Sequence, residues 1–131
     1  MLNQESQILD ISEIKLLAFK FCKNLKAGDV IMLMGELGVG KTTLSRFIIN
    51  NLYSLNNLKN PETIASPTYP ILLTYNLKKY DIYHYDFYRI KTIKELEDLE
   101  FFENIQNSIT IIEWPELLIE LPFNQKYYLI N

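Results

Sequence analysis

The sequence predicts an α/β fold of three layers, in which helices cover a mixed, mainly parallel sheet that carries an antiparallel hairpin. Three observations carry this expectation. Helical and strand-like segments interleave along the chain. Residues 30–34 are an unbroken apolar run, the pattern of a strand buried on both faces, and Ile109-Thr110-Ile111-Ile112 reads as another strand. Residues 70–75 and 80–89 are rich in Ile, Leu, Thr, Tyr and Phe and are divided by polar Asn76-Leu77-Lys78-Lys79, the spacing of a hairpin. With 131 residues the chain has room for one hydrophobic core and not two, so residues 1–131 read as a single domain.

The elements follow in order. Ser12 is placed to cap a helix over residues 12–26, because Ile14, Leu17, Ala18, Phe21, Cys22 and Leu25 recur at intervals of three and four. Gly28 is expected to end it in a left-handed conformation. A strand over 30–34 enters a glycine-rich turn, and a helix over about 42–53 follows with Leu44, Phe47, Ile48 and Leu52 on one face. Residues 54–66 lose periodicity and turn to Asn, Ser, Lys and Pro, a loop of a length often given to function. After the hairpin, Thr92 and Glu95 have the spacing of a capping box at the head of a helix. The strand over 109–112 precedes Pro115, suited to the first position of a short helix, and residues 127–130 form a last strand.

Thirteen Lys and Arg against sixteen Asp and Glu leave a net charge of -3, which lacks the positive footprint that tight phosphate-backbone binding needs. Direct nucleic-acid binding, to DNA or RNA, is therefore disfavoured. The single cysteine, Cys22, sits among apolar residues and reads as a reduced core side chain. No signal-peptide pattern and no bilayer-length apolar run occurs, so a cytoplasmic location without membrane contact is expected.

The strongest chemical signal is Gly35-Glu36-Leu37-Gly38-Val39-Gly40-Lys41-Thr42, which fits G-x-x-x-x-G-K-[ST] between an apolar strand and a helix. Three of the chain's four glycines fall inside these eight residues. Such a P-loop turns backbone N–H groups inward on a β-phosphate, here those of Glu36, Leu37, Gly38, Val39, Gly40, Lys41, Thr42 and Thr43, with the helix dipole behind them. Lys41 brings charge to the β and γ oxygens, and the Thr42 hydroxyl suits Mg²⁺. Glu113, ending the apolar strand 109–112, occupies the place of a Walker B acid that holds Mg²⁺ or orients water. Thr68, between Pro67 and Tyr69-Pro70, has the setting of a switch residue that reads γ-phosphate. Strand alternation puts His84, Asp86 and Tyr88 on one face and Tyr83, Tyr85 and Phe87 on the other, which fits either a metal site or a half-exposed strand with its aromatic face in the core. The chain has neither N-K-x-D nor D-x-x-G, so adenine is the expected base and ATP/ADP the expected ligand. Trp114 adjoins Glu113 and is suited to contact nucleotide or partner.

GELGVGKTTLSR, SPTYPIL, YHYDFYRI, the acid-rich ELEDLEFFE and IIEWPELL, in this order over about residues 25–122, closely resemble the bacterial TsaE (YjeE) family. The resemblance implies a P-loop ATPase with Mg²⁺ that takes part in threonylcarbamoyl modification of the anticodon-adjacent adenosine of tRNA. It implies TsaD and TsaB as partners, with tRNA met only through their complex. It also implies that Asp86 is a metal-water or catalytic acid, that Thr68 lies in the switch loop and that Glu113 is the Mg²⁺ acid. Members of that family usually continue past the strand matched by 126–130 into another that bears a Gly-Arg. A sheet edge left uncovered there is expected to weaken nucleotide binding.

Three functions compete. A partner-stimulated ATPase, weak alone, accords with Arg46 and Arg89 being the only arginines and neither reading as an arginine finger. A small-molecule kinase needs a lid with several arginines, which two cannot supply. A scaffold that binds nucleotide without hydrolysis would need the same Lys41 and Thr42.

Overall fold

The computed structural model describes residues 11–34, 39–61, 64, 67, 71–119 and 127–130, the side chains of residues 11 and 39–42 excepted. Its elements are α1 (Ile11–Cys22), β1 (Val30–Leu33), α2 (Val39–Leu55), β2 (Leu72–Asn76), β3 (Asp81–Asp86), α3 (Ile93–Asp98), α4 (Phe101–Asn104), β4 (Ile109–Glu113), α5 (Glu116–Ile119) and β5 (Tyr127–Ile130). The strands form one sheet in the order β2-β3-β4-β1-β5. β3, β4, β1 and β5 run parallel, and β2 pairs antiparallel with β3 as the hairpin spacing predicts.

The sheet divides two apolar layers. On one face Ile31 and Leu33 of β1, Ile82 of β3 and Ile109 and Ile111 of β4 pack with Ala18 and Cys22 of α1 and Leu44, Ile48 and Ile49 of α2. On the other, Val30, Met32, Tyr85 and Ile112 pack with Leu96, Phe101, Ile105 and Leu118 from the α3–α5 side. Every residue of β1 is buried, as its unbroken apolar run foretells, and every residue of β4 is buried too, Thr110 and Glu113 included. Tyr85, Phe87 and Phe101 form a three-ring cluster with centroids 5.2–5.5 Å apart, which fastens the end of β3 to α4.

Several boundaries differ from the sequence expectation for local reasons. α1 is helical already at Ile11, the first described residue, so Ser12 lies inside the helix and does not cap it, and the helix ends at Cys22 instead of running to Lys26. A tight turn replaces its last part: Asp29 N donates to the Lys26 carbonyl at 3.0 Å, and the Asp29 carboxylate accepts from Lys26 N at 3.0 Å. Gly28 is left-handed at φ 97°, but within this turn and not as the helix cap; its N–H donates to the Ser108 carbonyl at 2.8 Å. The left-handed conformation there is why a side chain is disfavoured.

Thr92 caps α3, its hydroxyl accepting from Glu95 N at 3.3 Å. Glu95 reaches back one residue further than a capping box requires, to Lys91 N at 2.8 Å. Pro115 directly precedes α5, and its carbonyl accepts from Leu118 and Ile119. Cys22 is buried with Sγ 3.6 Å from the Ile48 carbonyl, and burial pushes its thiol up to about 12. Among the described residues no helix is long and apolar enough to cross a membrane.

Candidate functional site

The parallel strands bring their carboxyl ends to one edge of the sheet, the usual place for ligands in open α/β folds. Leu33, the last residue of β1, is the register partner of Glu113 on β4, and Glu113 is the partner of Asp86 on β3. Two acids 27 positions apart in sequence thus end adjacent strands, beside the point where β1 gives way to the connection into α2. Both are buried, Asp86 at 6% and Glu113 at 4% exposure.

Their surroundings are polar but sparing. His84, two residues before Asp86 on the same face, places Nε2 2.7 Å from Glu113 Oε2. A carboxylate only accepts, so Nε2 is the donor in that bond. Nδ1 is buried without a hydrogen-bond partner, and its ring lies on a strand flanked by Leu73 and Ile111 in register. Ser45 of α2 is fully buried and sets Oγ 3.5 Å from the same Glu113 oxygen, at the limit of a hydrogen bond.

Asp86 is held by the chain around it. Its Oδ1 accepts from Tyr88 N at 2.9 Å, its own N–H donates to the Ile71 carbonyl at 2.8 Å, and Phe87 N donates to the Glu113 carbonyl at 2.9 Å. That side-chain turn stops β3 at Asp86. Tyr88 therefore does not continue the face of His84 and Asp86, as strict alternation predicts; it swings out, 59% exposed, and lies against Trp114 with ring centroids 5.0 Å apart. His84 and Asp86 do share a face, but that face is covered by α2, so the half-exposed strand is not what forms.

Two non-glycine residues with positive φ flank the acids: Ile71 at 60°, opening β2 beside Asp86, and Trp114 at 59°, directly after Glu113. Left-handed backbone costs a β-branched or bulky side chain on the order of 1–3 kcal/mol, a strain that concentrates at functional sites. Trp114 is partly buried between the acid and Pro115.

Glu36, Leu37, Gly38 and Thr68 lie outside the described residues, as do the side chains at Val39, Gly40, Lys41 and Thr42. The backbone of the last four forms the first turn of α2, where a P-loop helix should begin, and Thr43 is partly buried in the same helix. Arg46, one helical turn on, donates Nε to the Ile64 carbonyl at 3.0 Å and so pins the long loop to α2.

Among the described residues no group of three or more His, Cys, Asp or Glu side chains could hold a metal ion. Two buried carboxylates at one sheet edge instead suit a hard cation that brings waters and phosphate oxygens of its own, which is how Mg²⁺ is usually held. The donor set fits that ion. Sequence reasoning missed two contributors, Ser45 and the contact of His84 with Glu113. Ser45 was findable, since it lies three residues after Thr42 and so near its face of the helix; the His84 contact joins two strands and has no local signature.

The model of the family described as threonylcarbamoyl adenosine biosynthesis protein TsaE matches residues 8–131. The chain belongs to the TsaE family. That family is involved in tRNA threonylcarbamoyladenosine biosynthesis. The tRNA threonylcarbamoyladenosine biosynthesis protein TsaE of Rickettsia prowazekii is 40% identical over 109 residues, 83% of this chain and 72% of that protein. The TsaE of Rickettsia felis is 38% identical over 109 residues, and the aligned stretch spans 61% of its length. The crystal structure of Bacillus subtilis YdiB has the same fold, with a TM-score of 0.60 at 24% identity over 93% of this chain and 72% of that one. The mixed, mainly parallel sheet with one antiparallel pair is thus the fold of a TsaE protein.

Proposed function

We propose that the protein is the ATP-binding and hydrolysing subunit of tRNA N6-threonylcarbamoyladenosine formation, a Mg²⁺-dependent ATPase that acts on the TsaD–TsaB complex as a nucleotide-dependent switch. The observation that carries this reading is the pairing of Asp86 with Glu113 at the carboxyl ends of β3 and β4, one strand away from the β1–α2 connection that bears the P-loop sequence.

In this reading the P-loop amides and Lys41 hold the phosphates, and Thr42, Glu113 and Asp86 hold Mg²⁺ directly or through water. When bound, Mg²⁺ neutralises charge on the β and γ oxygens. One of the Glu113 and Asp86 carboxylates orients the attacking water and accepts its proton, and Thr68 senses the γ-phosphate. Arg46 is engaged with the Ile64 carbonyl, which supports slow turnover by the chain alone and completion of the site by a partner. An acidic chain of net charge -3 accords with action on other proteins in preference to a grip on tRNA.

The test is ATP turnover with Mg²⁺, alone and with stoichiometric TsaB and TsaD, with Lys41→Ala as the blank. Stimulation by the pair is expected. Nucleotide that strengthens the three-protein complex without stimulated turnover would instead make the protein a scaffold. Asp86→Asn should retain partner binding and lose pathway activity if hydrolysis is the switch.

A further inference from the structure

Glu113 has an ordered holder that the proposed ATPase reading does not use. Its Oε2 meets His84 Nε2 at 2.7 Å and Ser45 Oγ at 3.5 Å, and neither contact involves Oε1. At 3.5 Å the Ser45 contact is at the limit of a hydrogen bond, so the imidazole does the holding. The arrangement also leaves a buried polar atom, His84 Nδ1, without a hydrogen-bond partner. An apolar side chain among Leu73, Ile82 and Ile111 would avoid that cost, and natural cores rarely keep such an orphan without a use for the other end of the ring.

We propose that His84 is a positioning residue: by fixing Oε2 it sets one orientation of the Glu113 carboxylate and presents Oε1 to a divalent cation on the nucleotide's phosphates. The inference rests on the proposed Mg²⁺-nucleotide reading. Its physical logic is that of an outer hydrogen bond which orients a metal-binding acid, where removal typically costs about 10–100-fold in metal affinity.

Two amide variants of the full chain separate positioning from packing. In His84→Gln the side-chain amide can reach Glu113 as Nε2 does; in His84→Asn the same group is one bond shorter and falls short of Oε2. ATP affinity is measured by calorimetry with EDTA and across a Mg²⁺ titration, with thermal melting as the check on folding. The expected result is that His84→Asn needs about 10-fold more Mg²⁺ for half-maximal tightening of ATP binding, that His84→Gln stays within about 3-fold of the parent, and that neither changes affinity in EDTA. If the parent tightens with Mg²⁺ and both variants behave like it, the positioning role is wrong while the ATPase reading stands. If both lose affinity equally with and without Mg²⁺, His84 is structural only. A parent protein whose ATP binding ignores Mg²⁺ overturns the ATPase reading and this inference with it.

Discussion

Glu113 gives the sharpest separation of stability from function. Glu113→Gln keeps the side chain's volume and an oxygen to accept from His84, and removes only the charge. A hydrogen bond to a charged group is worth about 1.5–3 kcal/mol and a neutral one about 0.5–1.5, so roughly 1 kcal/mol is lost. Against this, a carboxylate only 4% exposed no longer has to be stripped of water. The net change should be within about 1 kcal/mol of zero. Glu113→Leu is different, because it orphans the second nitrogen of an imidazole that is 1% exposed and already has one unpartnered nitrogen. That adds about 1–3 kcal/mol of unfavourable burial. The two variants should therefore differ by about 2 kcal/mol, which for a chain of this size is roughly 5–10 °C in Tm. Far-ultraviolet circular dichroism during heating reads that gap, and partner-stimulated ATP turnover should fall at least about 100-fold in Glu113→Gln despite its near-native melting. If Gln melts as low as Leu, the account of the pair is wrong; if Gln turns over ATP normally, Glu113 is not the acid.

Other expectations are simpler. Lys41→Ala or Gly40→Val should abolish nucleotide binding with unchanged helix content, and binding retained in either would remove the P-loop assignment. Thr92→Ala deletes the α3 cap and should cost about 1 kcal/mol, lowering Tm by a few degrees; nucleotide affinity should not move, and a loss would mean that α3 communicates with the site. The Cys22 thiol, raised from 9.0 to about 12 by burial, binds its proton more tightly in the folded protein than in the unfolded chain. Its stabilising contribution is full below about pH 9 and is lost as pH rises towards 12. An aromatic disulfide reagent at pH 8 should leave the native thiol unmodified until denaturant is added; rapid reaction would show that the α1–α2 contact opens readily.

Much of the fold was legible because its signals are local. The run at 30–34 has no polar position to present to water, so it could only be a strand with both faces covered, and residues 109–112 are β-branched throughout, which suits a strand. The Thr92 cap, the hairpin and the strand 127–130 were legible for the same reason, since each is decided by neighbours within a few residues. The end of α1 was not: the apolar spacing carries on to Leu25, but the Asp29 carboxylate captures Lys26 N and turns the chain. Tyr88 failed likewise, because alternation assumes a continuing strand and Asp86 ends it by bonding Tyr88 N.

Within the site, residue type and immediate context singled out Glu113 as a candidate acid and Gly35 to Thr42 as a fit to the phosphate-loop pattern, whereas Asp86 stood out only through the family resemblance. Only the tertiary structure decided that the two acids end neighbouring strands, that His84 spends its Nε2 on Glu113, and that Ser45 reaches the same oxygen from α2. Those relations depend on strand order and register, which bring together residues 29 and 68 positions apart. No local pattern encodes such a meeting; the burial of two apolar layers against one sheet does.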